Sequence, residues 1–157
     1  MVTLRDVTKS DERIYRGWQK DSKLDGYLSR LCPNNSSVVD YDTSRVCWFI
    51  IEKGTQEIGS VWLEKDTEGT DTMILGIFIS GEQHRNKGIG SAAIKEAIRI
   101  SKQRISFGKI RLNVRKTNLR AMQCYIKCGF NICGEGQKYA SDGTIIDYYQ
   151  MEMKNNK

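Results

Sequence analysis

Residues 82–94, EQHRNKGIGSAAI, set Gly88 and Gly90 between a cationic stretch and the start of an apolar helical pattern. A bend of this type suits an anion. Two glycines let the backbone come close to a ligand. The N–H groups of Gly88, Ile89, Gly90 and Ser91 would point out of a helix N-terminus, with the positive end of its dipole behind them. Arg85 and Lys87, with Asn86 between them, add charge from the side. The result is a phosphate or pyrophosphate cradle in which main-chain donors outnumber side-chain ones. The same residues also read as a plain strand-to-helix turn with solvated basic side chains.

Two other phosphate devices do not fit. Gly88-Ile89-Gly90-Ser91-Ala92-Ala93 matches G-x-G-x-x-G/A in letters. A dinucleotide site, however, needs its turn directly off a strand and a carboxylate near the end of the next strand. Here Ser80 to Lys87 intervene, and Arg111, Asn113 and Arg115 occupy the place of the carboxylate. The G-x-x-x-x-G-K-[ST] pattern of a P-loop is absent.

A second constellation lies downstream. Asn118, Ala121 and Tyr125 are separated by three, four and seven residues, so one helix face could present all three. A phenol with a pKa of about 10 is mostly protonated at neutral pH and can donate a proton. Tyr125 also reads as a core tyrosine with one hydrogen bond.

The elements that must position these groups follow from periodicity. VTLRDV (2–7) alternates weakly and predicts a first strand. Ser10-Asp11-Glu12 opens a helical pattern through Trp18 and on towards Leu31, with Gly17 and Gly26 weakening it into a helix–break–helix arrangement. Pro33 to Ser37 is turn chemistry and begins a long loop, 32–45. VCWFII (46–51), IGSVWLEK (58–65) and MILGIFI (73–79) predict three consecutive strands. The last is apolar on both faces and therefore central, with Gly76 marking a bulge or a ligand's close approach. Residues 90–105 switch to helical spacing, with Ile94, Ala97, Ile98, Ser101 and Ile105 on one face. KIRLNV (109–114) alternates, placing Ile110, Leu112 and Val114 inward. A helix over 118–127 stops at Gly129. FNICGEGQ and TIIDYYQMEM, joined by Ser141-Asp142-Gly143, predict a closing hairpin. Consecutive strands pair antiparallel, and strand–helix–strand gives a parallel crossover. The expected fold is therefore a mixed sheet with helices on both faces.

R-x-x-G-x-G after a central strand, followed by N-x-x-A-x-x-x-Y-x-x-x-G-F (Asn118, Ala121, Tyr125, Gly129, Phe130), resembles the GNAT acetyltransferase superfamily. The element order matches over nearly the whole chain. The closing DGTIIDYYQMEMK is similar to the branch containing ribosomal-protein-alanine and spermidine/spermine N-acetyltransferases. The resemblance implies one α/β (α+β) domain over residues 1–157, built on a mainly antiparallel central sheet of about seven strands. It implies acetyl-CoA as acyl donor, with the pyrophosphate on 85–90 and the pantetheine arm along Ile77, Phe78 and Ile79, where two parallel strands splay apart. Asn118 would touch the arm or the nucleotide end. Tyr125 would protonate the departing thiolate. Glu82, at the strand end, and His84, with its intrinsic pKa, are candidates for the general base, and each also reads as a solvated loop residue. A main-chain N–H near Gly76–Phe78 could polarise the carbonyl. The acceptor pocket would be formed by the first helices, the 32–45 loop and the final hairpin, with Asp21, Asp25, Asp40 and Asp42 available to a cationic amine.

Bulk properties bound the alternatives. A chain of 157 residues is one domain by length. It has no apolar stretch long enough for a membrane span and no apolar signal core in MVTLRDVTKSDER, which predicts a cytoplasmic protein. Five cysteines without a paired framework read as reduced thiols. Cys124 and Cys128 lie one helical turn apart, but the lone histidine is distant in sequence and no C-x-x-C exists, so no metal site is expected. The net charge of +6 favours anionic ligands or simply solubility. Nucleic acid would need an aromatic-basic strand or a recognition helix, and neither signature is present. Two function classes remain beside it: an N-acetyltransferase acting on a primary amine (protein N-terminus, polyamine or other small amine), and a non-catalytic acyl-CoA-binding sensor on the same fold. Exposed strand edges at the C-terminal hairpin make a homodimer an expectation.

Overall fold

The computed structural model describes residues 2–21, 30–66, 71–84 and 87–155. In chain order its elements are β1 (Val2–Asp6), α1 (Glu12–Gln19), β2 (Val46–Lys53), β3 (Gln56–Lys65), β4 (Thr72–Ile79), α2 (Ile89–Arg104), β5 (Lys109–Arg115), α3 (Leu119–Lys127), β6 (Asn131–Tyr139) and β7 (Ile145–Lys154). The strands form one seven-stranded sheet in the order β1-β2-β3-β4-β5-β7-β6. Every neighbouring pair is antiparallel except β4 and β5. This is the mixed, mainly antiparallel sheet that the periodicity predicts, with β4 at its centre. No described helix is long and apolar enough to cross a membrane.

Alternation along the strands sends side chains to two cores. Trp48, Ile50, Trp62 and Phe78 face α1, where Tyr15 and Trp18 cover them. The rings of Tyr15 and Trp48 meet edge-on at 5.2 Å, and those of Trp18 and Phe78 at 5.0 Å. Cys47, Phe49, Val61, Leu63, Met73 and Leu75 face the other way, onto Ala93, Ile94, Ala97 and Ile98 of α2. The inward residues expected on β5, Ile110, Leu112 and Val114, are buried there too. Glu64, buried on β3, accepts from Arg30 Nη1 at 2.6 Å and from the Asn34 amide at 2.6 Å. That pair of bonds ties the start of the long loop to the sheet.

Two expectations are corrected. Gly17 does not break the first helix, because it lies inside α1, which ends at Gln19; the continuation through Gly26 lies outside the described residues. Gly76 is neither bulged nor open to a ligand on its Cβ side. The β3–β4 register runs through it unbroken, and the Trp62 indole occupies the place of the missing side chain.

The feature that positions the site is a splay. β4 and β5 pair only at Thr72↔Lys109, Met73↔Ile110 and Ile74↔Arg111. Beyond that point β4 stays with β3, β5 stays with β7, and the two part. The Ser80 amide donates to Ile58 O at 2.7 Å, which sets the phase of the β3–β4 ladder. Antiparallel alternation then turns the main-chain groups of Gly76 and Phe78 towards β3 and those of Ile77 and Ile79 into the opening.

Candidate functional site

At the mouth of the opening, α2 begins without a cap of its own. Gly88 is its N-cap, with φ of 75°, a left-handed conformation that favours glycine. No side chain caps the helix, and its first turn holds no acidic residue. The first helical bond runs from the Ala92 amide to Gly88 O at 3.1 Å. The amides of Ile89, Gly90 and Ser91 precede it and have no partner within the helix. The Ser91 hydroxyl donates to Gly88 O at 3.2 Å and does not cap the amides. Lys87 is exposed beside them. Arg85 and Asn86 lie outside the described residues, as do Asp25 and the Glu82 side chain. The Glu82 backbone opens a single 3-10 turn, Glu82–His84.

Gly90 is where three elements converge. A Cβ built there would lie 3.3 Å from Cys124 Sγ of α3 and 3.7 Å from Ile79 Cδ1 of β4. The sequence reading assigned this glycine to ligand approach. The structure adds a second reason for it: a side chain there would press on Cys124, which would have to give by a few tenths of an ångström. A G-x-G spacing is the one signal in the sequence that could have suggested such helix packing.

Tyr125 projects from α3 onto the same cluster that Ile77 and Ile79 pack against. Its ring meets Phe130 edge-on at 6.1 Å. Burial, followed by the neighbouring Cys124 and Cys128 thiols, pushes its phenol above the ordinary tyrosine value. The group therefore stays protonated throughout the neutral range, as a proton donor must. Asn118 is the N-cap of α3; its Oδ1 accepts from the Ala121 amide at 3.2 Å. The side-chain NH2 is the part left to meet a ligand.

The structure brings Gly90 against Ile79 and Cys124 and packs Ile77, Ile79 and Tyr125 on the same core, in which Ile89 is buried. Phe78 behaves differently from its neighbours. Its side chain is 3% exposed and packs against Trp18 and Tyr15 on the opposite face of the sheet. His84 is 9% exposed rather than solvated, and its Nδ1 has no partner among the described residues. On the α1 side, a 590 Å³ cavity is lined by residues 30–37 and Asp40. Asp42, exposed, holds the turn that follows it. Its carboxylate accepts from the Ser44 amide at 2.9 Å and the Ser44 hydroxyl at 2.6 Å.

A family model of the GNAT acetyltransferases matches residues 7–130. The chain belongs to that family. Among curated relatives, the L-amino acid N-acetyltransferase AaaT of Escherichia coli K12 is 37% identical over 68 residues, which are 43% of this chain and 42% of that protein. The matched segment is thus less than half of either protein. Spermidine N-acetyltransferase from Vibrio cholerae, solved with CoA and spermine, superposes with a TM-score of 0.78 at 22% identity, over 98% of this chain and 95% of that one. The aminoglycoside acetyltransferase AAC(6')-Ib, solved with coenzyme A and kanamycin, gives 0.73 at 21% identity, over 99% and 95%. At these identities the two structures show the shared fold.

Proposed function

We propose that this chain transfers an acetyl group from acetyl-CoA to a primary amine by direct attack in a ternary complex. One observation carries the reading. A helix start whose first three amides have no partner among the described residues, and whose first turn holds no acidic residue, stands beside the edge of β4 that β5 leaves unpaired at Ile77 and Ile79. The amides of Ile89, Gly90 and Ser91, with Lys87 and the flanking Arg85 and Asn86, suit the pyrophosphate. The free edge of β4 suits the amide-bearing pantetheine arm, which would add to it as a strand would. The NH2 of Asn118 serves the same ligand.

Tyr125 is the general acid. As the amine nitrogen bonds to the acetyl carbon and the carbon–sulfur bond breaks, its hydroxyl gives the proton to sulfur. Glu82 takes a proton from the substrate ammonium before the neutral amine attacks, directly or through water, with buried His84 as the second candidate. Support for an amine acceptor comes from the relatives, named for an amino acid, a polyamine and an aminoglycoside. A protein N-terminus belongs to the same chemical class. Asp40, which lines the 590 Å³ cavity, would receive its charge.

The test is thiol release from acetyl-CoA over L-amino acids, spermidine and spermine, aminoglycosides and N-terminal peptides. Release is expected with at least one class. Tyr125→Phe should lower turnover about a hundredfold, the scale of a lost general acid, with the Kd for acetyl-CoA unchanged by calorimetry. Coenzyme uptake with no release from any amine would make the protein a sensor module. Failure to take up the coenzyme at all would end both readings.

A further inference from the structure

Two thiols rest on the first turn of α2. Cys124 Sγ lies 3.3 Å from where a Cβ of Gly90 would be, and Cys128 Sγ donates to Ser91 O at 3.8 Å. Both are half-buried, and they stand one turn apart on α3, Cys128 as its C-cap residue. A hydrogen bond from Cys124 favours the thiolate of Cys128, which lies below the ordinary thiol value despite its burial, with Lys95 and Lys127 helping. Cys124 is raised by the same partner and by burial. Two neighbouring thiols of this kind supply a nucleophile and a resolving thiol, whichever of them ionises first. Cys47, by contrast, is buried in the core, and burial raises it and Cys32. Between the paired cysteines in sequence stands Tyr125.

We propose that Cys124 and Cys128 form a dithiol that hydroperoxides oxidise to an intrahelical disulfide, and that this bond closes down the adjacent coenzyme site. One thiolate of the pair attacks one peroxide oxygen, the O–O bond breaks, and the departing oxygen takes up a proton and leaves as water, or as the alcohol of an organic hydroperoxide. The other thiol then attacks the sulfur of the resulting sulfenic acid. The S–S bond forms and water leaves. The two thiols lose two electrons, and the peroxide gains them.

The mechanical consequence follows from helix geometry. Side chains four apart on a helix have Cβ atoms about 5–6 Å apart. A disulfide needs about 3.5–4.5 Å. The closure, on the order of 1 Å or more, falls on the turn that carries Tyr125. It also draws both sulfurs off Gly90 and Ser91, the residues they brace. The effect on coenzyme binding rests on the cradle reading above; formation of the disulfide does not.

The experiment uses the full chain carrying Cys133→Ser, which removes the exposed thiol, treated with hydrogen peroxide. Trypsin cleaves after Lys127 and separates the two cysteines into different peptides, so they travel together only if the disulfide has formed. The expected result is a linked pair, with turnover and affinity for acetyl-CoA both falling about a hundredfold, as displacements near 1 Å do. Acetyl-CoA is the calorimetric ligand because it has no free thiol to reduce the bond. Dithiothreitol should restore both, and Cys128→Ser should show neither link nor loss. Cys124→Ser serves the same purpose if the first variant fails to fold. Unlinked peptides after oxidation, or a linked protein with unaltered affinity, would overturn the proposal. Reduced protein that links and loses affinity but never acetylates an amine would instead sink the enzyme reading and leave this one standing.

Discussion

The helix turn at residues 8–12 and the one at 87–91 meet the same electrostatic problem in opposite ways. Ahead of α1, the chain supplies its own anion. The carboxylate of Asp11, 3% exposed, accepts from the Thr8 amide at 2.8 Å. It also takes both arms of the Arg5 guanidinium, at 2.7 and 3.0 Å. At α2 there is no side-chain cap, no acidic residue in the first turn, and a left-handed glycine in place of a capping Ser or Asp. Both starts carry the same positive dipole end. The Asp11 carboxylate closes the single 3-10 turn that leads into α1, though it makes no cap bond to α1 itself, and Asn118 caps α3 through its side chain. The start of α2 has neither device among the described residues, and in the proposed function the ligand supplies its anion.

Filling the space at the open start should have the largest effect. Gly90→Val puts a Cβ at 3.3 Å from Cys124 Sγ and 3.7 Å from Ile79 Cδ1, and its two further methyls are expected to push α3 away from the turn. A shift near 1 Å at the cradle is expected to raise the Kd for acetyl-CoA about a hundredfold. Calorimetry on the folded variant checks this. Unchanged affinity would mean that the coenzyme does not use this turn, and the comparison would lose its meaning.

The closed start should answer in stability and not in binding. Asp11→Asn removes a buried partner of Arg5, at a cost of about 2 kcal/mol; breaking a buried pair costs more, but Arg5 is partly screened by water. Burial pushes the Asp11 carboxyl up, yet the bonds from Arg5 and the Thr8 amide more than offset it, so the folded group titrates below its ordinary value. A depressed carboxylate stabilises the fold above its unfolded pKa of about 4 and loses that contribution as pH falls through the folded value. The gap between wild type and Asp11→Asn in urea unfolding should therefore be full at pH 7 and narrow below about pH 4. Acetyl-CoA affinity should not change. A gap that is the same at both pH values would show that the loss is packing rather than charge.

How much of this could be read from the chain depended on distance along it. The proposed cradle is contiguous, so the reading of Gly88, Gly90 and the basic residues before them needs only local sequence. Strict alternation in 109–114 fixed the inward set on β5, and the 3.6-residue period did the same for α2. Phe78 shows where such reading stops. An apolar run marks a buried strand without saying which side each residue takes; here Ile77 and Ile79 pack on the α2 side, and Phe78 packs beneath α1. The Trp62 ring over Gly76 and the Cys124 sulfur against Gly90 are contacts between elements far apart in sequence, and no local pattern encodes them. Burial of His84 is of the same kind.

The smallest effect concerns the third helix start, where cap and ligand contact share one side chain. Asn118→Ala removes the Oδ1 that accepts from Ala121 and should cost about 1 kcal/mol, as loss of an N-cap does. Asn118→Asp keeps that acceptor and adds a charge the dipole favours, so its stability should match or exceed wild type. What Asp lacks is the NH2 donor. If the amide reaches the bound coenzyme, Asn118→Asp will weaken acetyl-CoA binding while leaving the melting temperature intact. The two readouts then separate in a single variant. If affinity follows stability in both variants, Asn118 is a cap alone, and α3 joins α1 on the self-sufficient side of the comparison.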